Sequence, residues 1–215
     1  MSYFKYKISN ILVVFEDDWL LVVDKPSGLL TIPTPKNEPR TLTSILNQEF
    51  KKKNEQVSLH PCHRLDRETS GLIIYAKGKS VQKKMMELFK NRLVRKKYIA
   101  FVHGKLAQDQ GQISSHIDEL AALTDFRVIE RKKDFTVVEV HPLTGRTNQI
   151  RIHFKGVGHP LVGEARYAFR KDFSLKGKRL FLHAKAINFT HPVTEKNVSI
   201  SISLEQDMQD FLKLH

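Results

Sequence analysis

Two apolar, β-branched runs, Ile11 to Phe15 and Leu20 to Val23, flank the polar triplet Glu16-Asp17-Asp18, which predicts two strands around a turn. Lys25-Pro26-Ser27-Gly28 ends the second strand, and the proline-punctuated stretch Pro33 to Pro39 reads as a loop. Leu42, Ile45, Leu46 and Phe50 then recur at helical spacing behind Thr41, predicting a first helix with Thr41 as its N-cap. Gly71 to Ala76 is a compact apolar strand. Ser80 is expected to cap a second helix, with Val81, Met85, Leu88 and Phe89 on one face and Lys83, Lys84, Lys90 and Arg92 turned outward. Tyr98 to Val102 predicts another strand, and Phe126 to Ile129 with Thr136 to Val140 predict a hairpin across Arg131 to Asp134. Gln149 to Phe154 fits two periods: Ile150, Ile152 and Phe154 match a strand, whereas Ile150, Phe154 and Val157 match a helix. Near the end, Val198, Ile200, Ile202 and Leu204 alternate with polar residues, and Met208, Phe211 and Leu212 predict a short closing helix. Intermixed helices and strands at hairpin-like spacing give an α+β fold, a mixed and mostly antiparallel sheet flanked by helices.

A chain of 215 residues that is 40% hydrophobic can bury one substantial core. The expected organisation is a single domain over 1–215, with two small lobes as the other arrangement this length allows. No run approaches the roughly 18 apolar residues of a membrane span, and Met1 to Asn10 lacks the apolar stretch of a secretory signal. A soluble, cytoplasmic protein is expected. Cys62 is the only cysteine, which excludes an internal disulfide and a multi-cysteine zinc site. Charge changes the picture more: 36 Lys and Arg against 23 Asp and Glu leave a net +13, which favours a phosphate-rich partner through counterion release. The excess lies in separate clusters, Lys51 to Lys53, Arg92 to Lys97, Arg131 to Lys133 and Arg170 to Arg179, so any basic groove must be assembled by folding.

The stretch richest in chemistry is His63-Arg64-Leu65-Asp66-Arg67-Glu68-Thr69-Ser70-Gly71, which sets a carboxylate between two guanidiniums just before a buried strand. By itself it is equally well read as a surface ion pair. It is not a kinase catalytic loop, because neither a Gly-rich phosphate loop nor Asp-Phe-Gly occurs. His60, Cys62 and His63 match no zinc spacing, so no metal is expected. A second polar concentration runs from Pro142 to Arg151, where Thr144 and Gly145 allow a tight turn and Arg146 and Arg151 suit a phosphate or a carboxylate. Tyr98, taken alone, is an ordinary strand tyrosine.

Taken together and in order, these segments resemble the RluA-type family of pseudouridine synthases. The resemblance runs from Glu16 to about Pro192, through Lys25 to Gly28, His63 to Gly71, Lys97-Tyr98, Thr144 to Arg151, Gly158-His159-Pro160 with Gly163, Leu182-His183-Ala184 and His191-Pro192. It implies a pseudouridine synthase catalytic domain with its motif-bearing core at about 11–204 and no separate N-terminal RNA-binding domain. It implies that Asp66 is the catalytic aspartate, Tyr98 the active-site tyrosine and Arg146 the arginine that pairs with the aspartate. Arg64 belongs to the base-flipping loop, with Arg67 and Arg151 as further RNA-facing arginines. Two departures stand out: Asn148 where the family usually has His, and a short segment from Gln112 to Thr124.

The implied reaction breaks the bond from ribose C1′ to uracil N1 and rejoins the base through C5, with no redox change and no group donor, so no cofactor is expected. An Asp can serve it as nucleophile or as base, and the sequence leaves that open. An arginine beside Asp66 favours its ionised form, the flat guanidinium of Arg64 can fill the place of an extruded base, and Tyr98 offers a phenol for the C5 proton. The expected partner is a stem-loop of ribosomal or transfer RNA, bound by a monomer without an obligatory protein partner. Two other readings compete. A glycosidase would need a second carboxylate, for which Glu68 is the near candidate, and a non-catalytic basic RNA-binding module would not need Asp66, Tyr98 and Arg146 together.

Overall fold

The computed structural model describes residues 6–53, 55–168 and 175–215. Arg170 and Lys171 of the last basic cluster therefore lie outside the described residues. The chain forms two compact units, the first made of 1–95 with 186–202 and the second of 96–185 with 203–215.

In the first unit, β1 (Tyr6–Ile8), β2 (Ile11–Glu16), β3 (Leu20–Lys25) and β5 (Ser70–Lys77) pair in that order, all antiparallel, and β4 (Leu59–Pro61) also pairs with β5. The strands read as unbroken apolar runs because both faces are covered. One face sends Val13, Leu21, Val23, Ile73 and Tyr75 against Leu42, Leu46 and Phe50 of α1 (Leu42–Lys52). The other sends Leu20, Val22, Leu72 and Ile74 against Val81 and Met85 of α2 (Lys79–Lys90). Thr41 caps α1 as expected, in a reciprocal box with Ser44: each hydroxyl accepts from the other residue's N–H, at 3.2 and 2.9 Å. Ser80 does not cap α2. Strand β5 runs to Lys77, and the helix starts directly after it with Gly78 at the cap position, so Ser80 already lies inside the first turn. The second half of β10 (Leu182–Thr190) pairs antiparallel with β11 (Asn197–Ser201).

The second unit is an antiparallel sheet in the order β6 (Arg95–His103), β9 (Phe135–Pro142), β8 (Leu120–Arg131), β7 (Gln110–Ile117). Strand β7 was not legible in the hydrophobic pattern. Its turn, Asp118-Glu119, lacks the usual Asn or Gly although both residues take positive φ, 50° and 62°. One face is an aromatic core in which Phe211 of α4 (Gln206–Leu214) lies 4.6 Å from Phe181 and 5.4 Å from Phe135, ring to ring. The other face carries α3 (Gln149–Gly156), which resolves the ambiguous segment. Gln149, Ile150, His153 and Phe154 are buried at helical spacing, and Phe126 of β8 meets Phe154 edge-on at 5.7 Å. Gly163 is obligatory where it stands, because a Cβ there would lie 1.7 Å from the Arg179 carbonyl oxygen. No helix among the described residues is long and apolar enough to cross a membrane.

Candidate active site

Strands β3 and β5 end side by side, with Lys25 in register with Gly71, so the segment leaving β3 meets the loop that enters β5. That meeting shapes the loop around Asp66. Lys25 is fully buried, and its ammonium group donates to the carbonyls of Pro26 at 3.0 Å, Leu29 at 2.7 Å and Arg67 at 3.2 Å. Buried Thr31 accepts from the Leu65 N–H at 3.3 Å and returns its own hydrogen to the Leu65 carbonyl at 3.0 Å. Ser27 donates to the Glu68 carbonyl at 2.6 Å, and the Gly28 N–H reaches the Arg67 carbonyl at 2.8 Å. Within the loop, the Thr69 N–H closes a turn onto the Asp66 carbonyl at 3.2 Å. These bonds to the loop grip main-chain atoms. Arg64 and Arg67 are exposed and Asp66 is half-buried, so three of the six site residues named from the sequence share one clamped loop.

The flanking residues are structural. His63 accepts the Ile74 N–H on Nε2 at 3.1 Å and packs on Phe89 with ring centroids 4.8 Å apart, which fixes the loop's entry. Burial pushes the Cys62 thiol up to about 12, so it stays protonated and unreactive at neutral pH.

In the second unit, Tyr98 is buried on β6 opposite Val140, near the end of β9 from which the chain enters the turn carrying Arg146. Tyr98 and Arg146 therefore belong to the same end of this sheet. Sequence reasoning missed what shapes that turn, which is Gln149. This buried amide accepts from the Thr144 hydroxyl at 2.7 Å and the Arg146 N–H at 3.0 Å, and donates to the Leu123 carbonyl at 2.8 Å and Thr124 Oγ1 at 2.9 Å. All four of its hydrogen-bonding positions are used, which ties the turn to β8. The half-buried Arg146 donates through Nε to the Ala121 carbonyl at 3.2 Å.

Arg151 departs from the expectation that it faces RNA. Its guanidinium is buried and forms a two-pronged pair with Glu164, Nε to Oε2 at 2.7 Å and Nη2 to Oε1 at 2.8 Å. Burial pushes the Glu164 carboxyl upward, but Arg151 and the N–H groups of Arg166 and Tyr167 outweigh it and hold the carboxyl below its ordinary value. Helical phase is the reason: Arg151 faces inward with Ile150 and Phe154, a direction the sequence could not assign while the segment was ambiguous. The other motif histidines are also structural. His159 Nδ1 lies 2.8 Å from the His103 carbonyl. His183 lies 3.1 Å from the Ser203 carbonyl, and burial drives its imidazole down to about 4. His191 accepts two backbone N–H groups, from Val193 and Thr194.

Comparison with known proteins places this arrangement. A family model described as RNA pseudouridylate synthase matches residues 19–155. The dual-specificity RNA pseudouridine synthase RluA of Yersinia pestis is 34% identical over 200 residues, 85% of this chain and 93% of that protein. Ribosomal large subunit pseudouridine synthase C of Buchnera aphidicola is 30% identical over 227 residues, 96% of this chain and 71% of that protein. Among solved structures, human RNA pseudouridylate synthase domain containing 4 has the same fold, with a TM-score of 0.79 at 23% identity over 94% of this chain and 91% of that one. The matched span holds the Asp66 loop, Tyr98 and the Arg146 turn, and the relatives align over most of their length, so the chain belongs to the RluA-type RNA pseudouridine synthases, isomerases that act on uridine in RNA.

Proposed function

We propose that the protein converts specific uridines of structured ribosomal or transfer RNA to pseudouridine, with Asp66 as the catalytic carboxylate and base flipping as the means of access. The supporting observation is the clamp on the Asp66 loop. Lys25, Ser27, Gly28 and Thr31 hold residues 65–68 by main-chain atoms, so the loop has a fixed path while Arg64 and Arg67 face outward. A target base cannot be reached inside a stack, and Arg64, two residues before the aspartate, fills the vacated place with a flat cation. Asp66 then engages the nucleoside, the C1′ to N1 bond breaks, the base turns, and C1′ joins C5. The proton leaving C5 is relayed through the Tyr98 hydroxyl, which releases its own hydrogen as it accepts the new one, and N1 gains one proton in exchange, so atoms and charge balance without an external reagent. Arg146 supports the ionised aspartate. With no group transferred in and no oxidation state changed, the chemistry needs no metal, cofactor or protein partner, and the reading is completed by a monomer working in the cytoplasm.

The test is Asp66→Asn, which keeps the shape of the side chain and removes its charge. Tritium released from RNA labelled at uracil C5 is expected to fall to background, with the melting temperature and RNA affinity retained. Measurable turnover by this variant overturns the assignment. Release of free uracil by the unaltered protein would instead establish the glycosidase reading.

A further inference from the structure

The residue at the family's histidine position, Asn148, joins a network that none of the roles above uses. Arginine has no acceptor, so the Asn148 atom 3.0 Å from Arg151 Nη1 must be the carbonyl oxygen, which fixes the amide's orientation. The amide nitrogen then donates to the Tyr167 hydroxyl oxygen at 2.9 Å. Glu164, pinned by Arg151, accepts the backbone N–H groups of Arg166 at 2.7 Å and Tyr167 at 3.2 Å, fixing the main chain that carries the ring. The Arg151 and Arg166 guanidiniums each lie over the ring, 5.4 Å from its centre, in cation–π contact with it. What remains is the phenolic hydrogen. Its oxygen already receives a bond, and among the described residues nothing accepts from it. Tyr167 is half-buried and Arg166 is exposed, so a preset O–H donor stands beside an accessible guanidinium.

We propose that Tyr167 and Arg166 form a backbone-phosphate subsite for the RNA strand, with Asn148 as the positioning residue that directs the Tyr167 hydroxyl outward. A phosphate oxygen suits both groups: it is an acceptor, it is anionic, and it needs no aromatic face. The buried Arg151 and Glu164 pair is the fixed frame for this subsite, in keeping with buried ion pairs contributing more to geometry than to stability. The inference rests on the chain acting on RNA, and it goes beyond the residues that carry out the isomerisation.

The test measures affinity without turnover, in the Asp66→Asn background, using in vitro transcripts of a ribosomal RNA and a transfer RNA. Tyr167→Phe keeps the ring and is expected to weaken binding about three- to tenfold, the effect of one hydrogen bond. With Asp66 restored, KM should rise by the same factor and kcat at saturating RNA should hold. Arg166→Gln should weaken binding and lower the slope of log affinity against log salt by about 0.7 to 0.9, the release of one counterion. The decisive variant is Asn148→Asp. A carboxylate still pairs with Arg151 and tolerates the left-handed backbone at φ 55°, but it draws the Tyr167 hydrogen inward. It should weaken binding as much as Tyr167→Phe does, and no further when the two are combined. An affinity for Tyr167→Phe within about twofold of its parent would overturn the proposal at the resolution of such a contact. So would an Asn148→Asp effect that persists undiminished in the Phe background, since that would be charge acting at a distance. If neither transcript is isomerised with Asp66 intact, the reading of the reaction fails, while the affinity series still decides this subsite.

Discussion

The Asp66 loop and the Arg146 turn look alike in sequence, each a polar run with two arginines beside an apolar element, but they are held in opposite ways. The loop is gripped from outside, by residues some 40 positions earlier that bond to its main chain. The turn is gripped from within, since Gln149, Thr144 and Arg151 use their own side chains to fix it to β8 and to Glu164. The difference teaches which polar residues a reader should assign to chemistry. A segment held by its main chain can offer its side chains to a substrate. A segment that folds by its side chains has already committed most of them, and only those the frame does not use remain for RNA.

The comparison breaks most sharply at Lys25. Lys25→Met keeps the length of the side chain and leaves the carbonyls of Pro26, Leu29 and Arg67 without this donor. The Arg67 carbonyl keeps the Gly28 N–H, so two acceptors are left unpaired at about 1 to 3 kcal/mol each, and a loss of about 2 to 6 kcal/mol is expected in urea unfolding. Loop displacement on the order of 1 Å should also lower single-turnover isomerisation about a hundredfold. A variant that unfolds at the same urea concentration and turns over normally would show that the loop holds its path without the lysine.

Much of the architecture is legible in the sequence, for reasons visible in particular residues. Strands β2, β3 and β5 are apolar on both faces, and α1 carries its own cap in Thr41. The hydrophobic pattern gives no expectation of β1, β4, β7 or β10, and β7 escapes because its turn, Asp118-Glu119, carries no Gly or Asn signal. Asp66, Arg64 and Arg67 could be proposed together because they are adjacent in sequence and lie in a segment that the family resemblance picks out. Lys25, Thr31 and Gln149 were not assigned their tasks, because those tasks depend on registers such as Lys25 against Gly71 and on strand pairings that bring Leu123 to the turn. Arg151 was given the wrong direction for want of a helical phase, and with it the partnership of Asn148 and Tyr167 stayed hidden.

Gln149 tests the turn with a smaller change. In Gln149→Glu the acceptor half still suits Thr144 and Arg146, but an oxygen now faces the Leu123 carbonyl across the 2.8 Å formerly spanned by a donor. The expected loss is about 2 kcal/mol in stability, with turnover lowered about tenfold as Arg146 shifts. Burial raises the pKa of the new carboxyl, and its protonated form regains a donor. The gap to the parent protein in unfolding experiments should therefore narrow as pH falls toward 5, and a gap that is constant or widens would show that the amide's donor bonds are not what hold the turn.

The smallest effect comes from a matched pair of threonines. Thr31 and Thr144 use one hydroxyl in the same way, accepting a backbone N–H and donating to a nearby oxygen, Thr31 on Leu65 alone and Thr144 between the Leu123 N–H at 2.9 Å and Gln149 Oε1 at 2.7 Å. Replacing either by Val keeps the β-branched shape and removes both bonds. Thr31 is 2% exposed, so its abandoned partners stay dry and the expected loss is about 1 to 2 kcal/mol. Thr144 is half-buried and water can replace its hydroxyl, so about 0.5 to 1 kcal/mol is expected. Function should separate the two further. Thr31→Val loosens the main chain beside Asp66 and should lower single-turnover rate severalfold at unchanged RNA affinity, whereas Thr144→Val leaves Gln149 with its three remaining bonds to hold the turn, and its rate should stay within about twofold of the parent, because a single neutral hydrogen bond at a wet site contributes about 1 kcal/mol or less. Equal rate losses in the two variants would show that the loop and the turn depend on their hydroxyl contacts alike, and the distinction between outside and inside grip would then carry no functional weight.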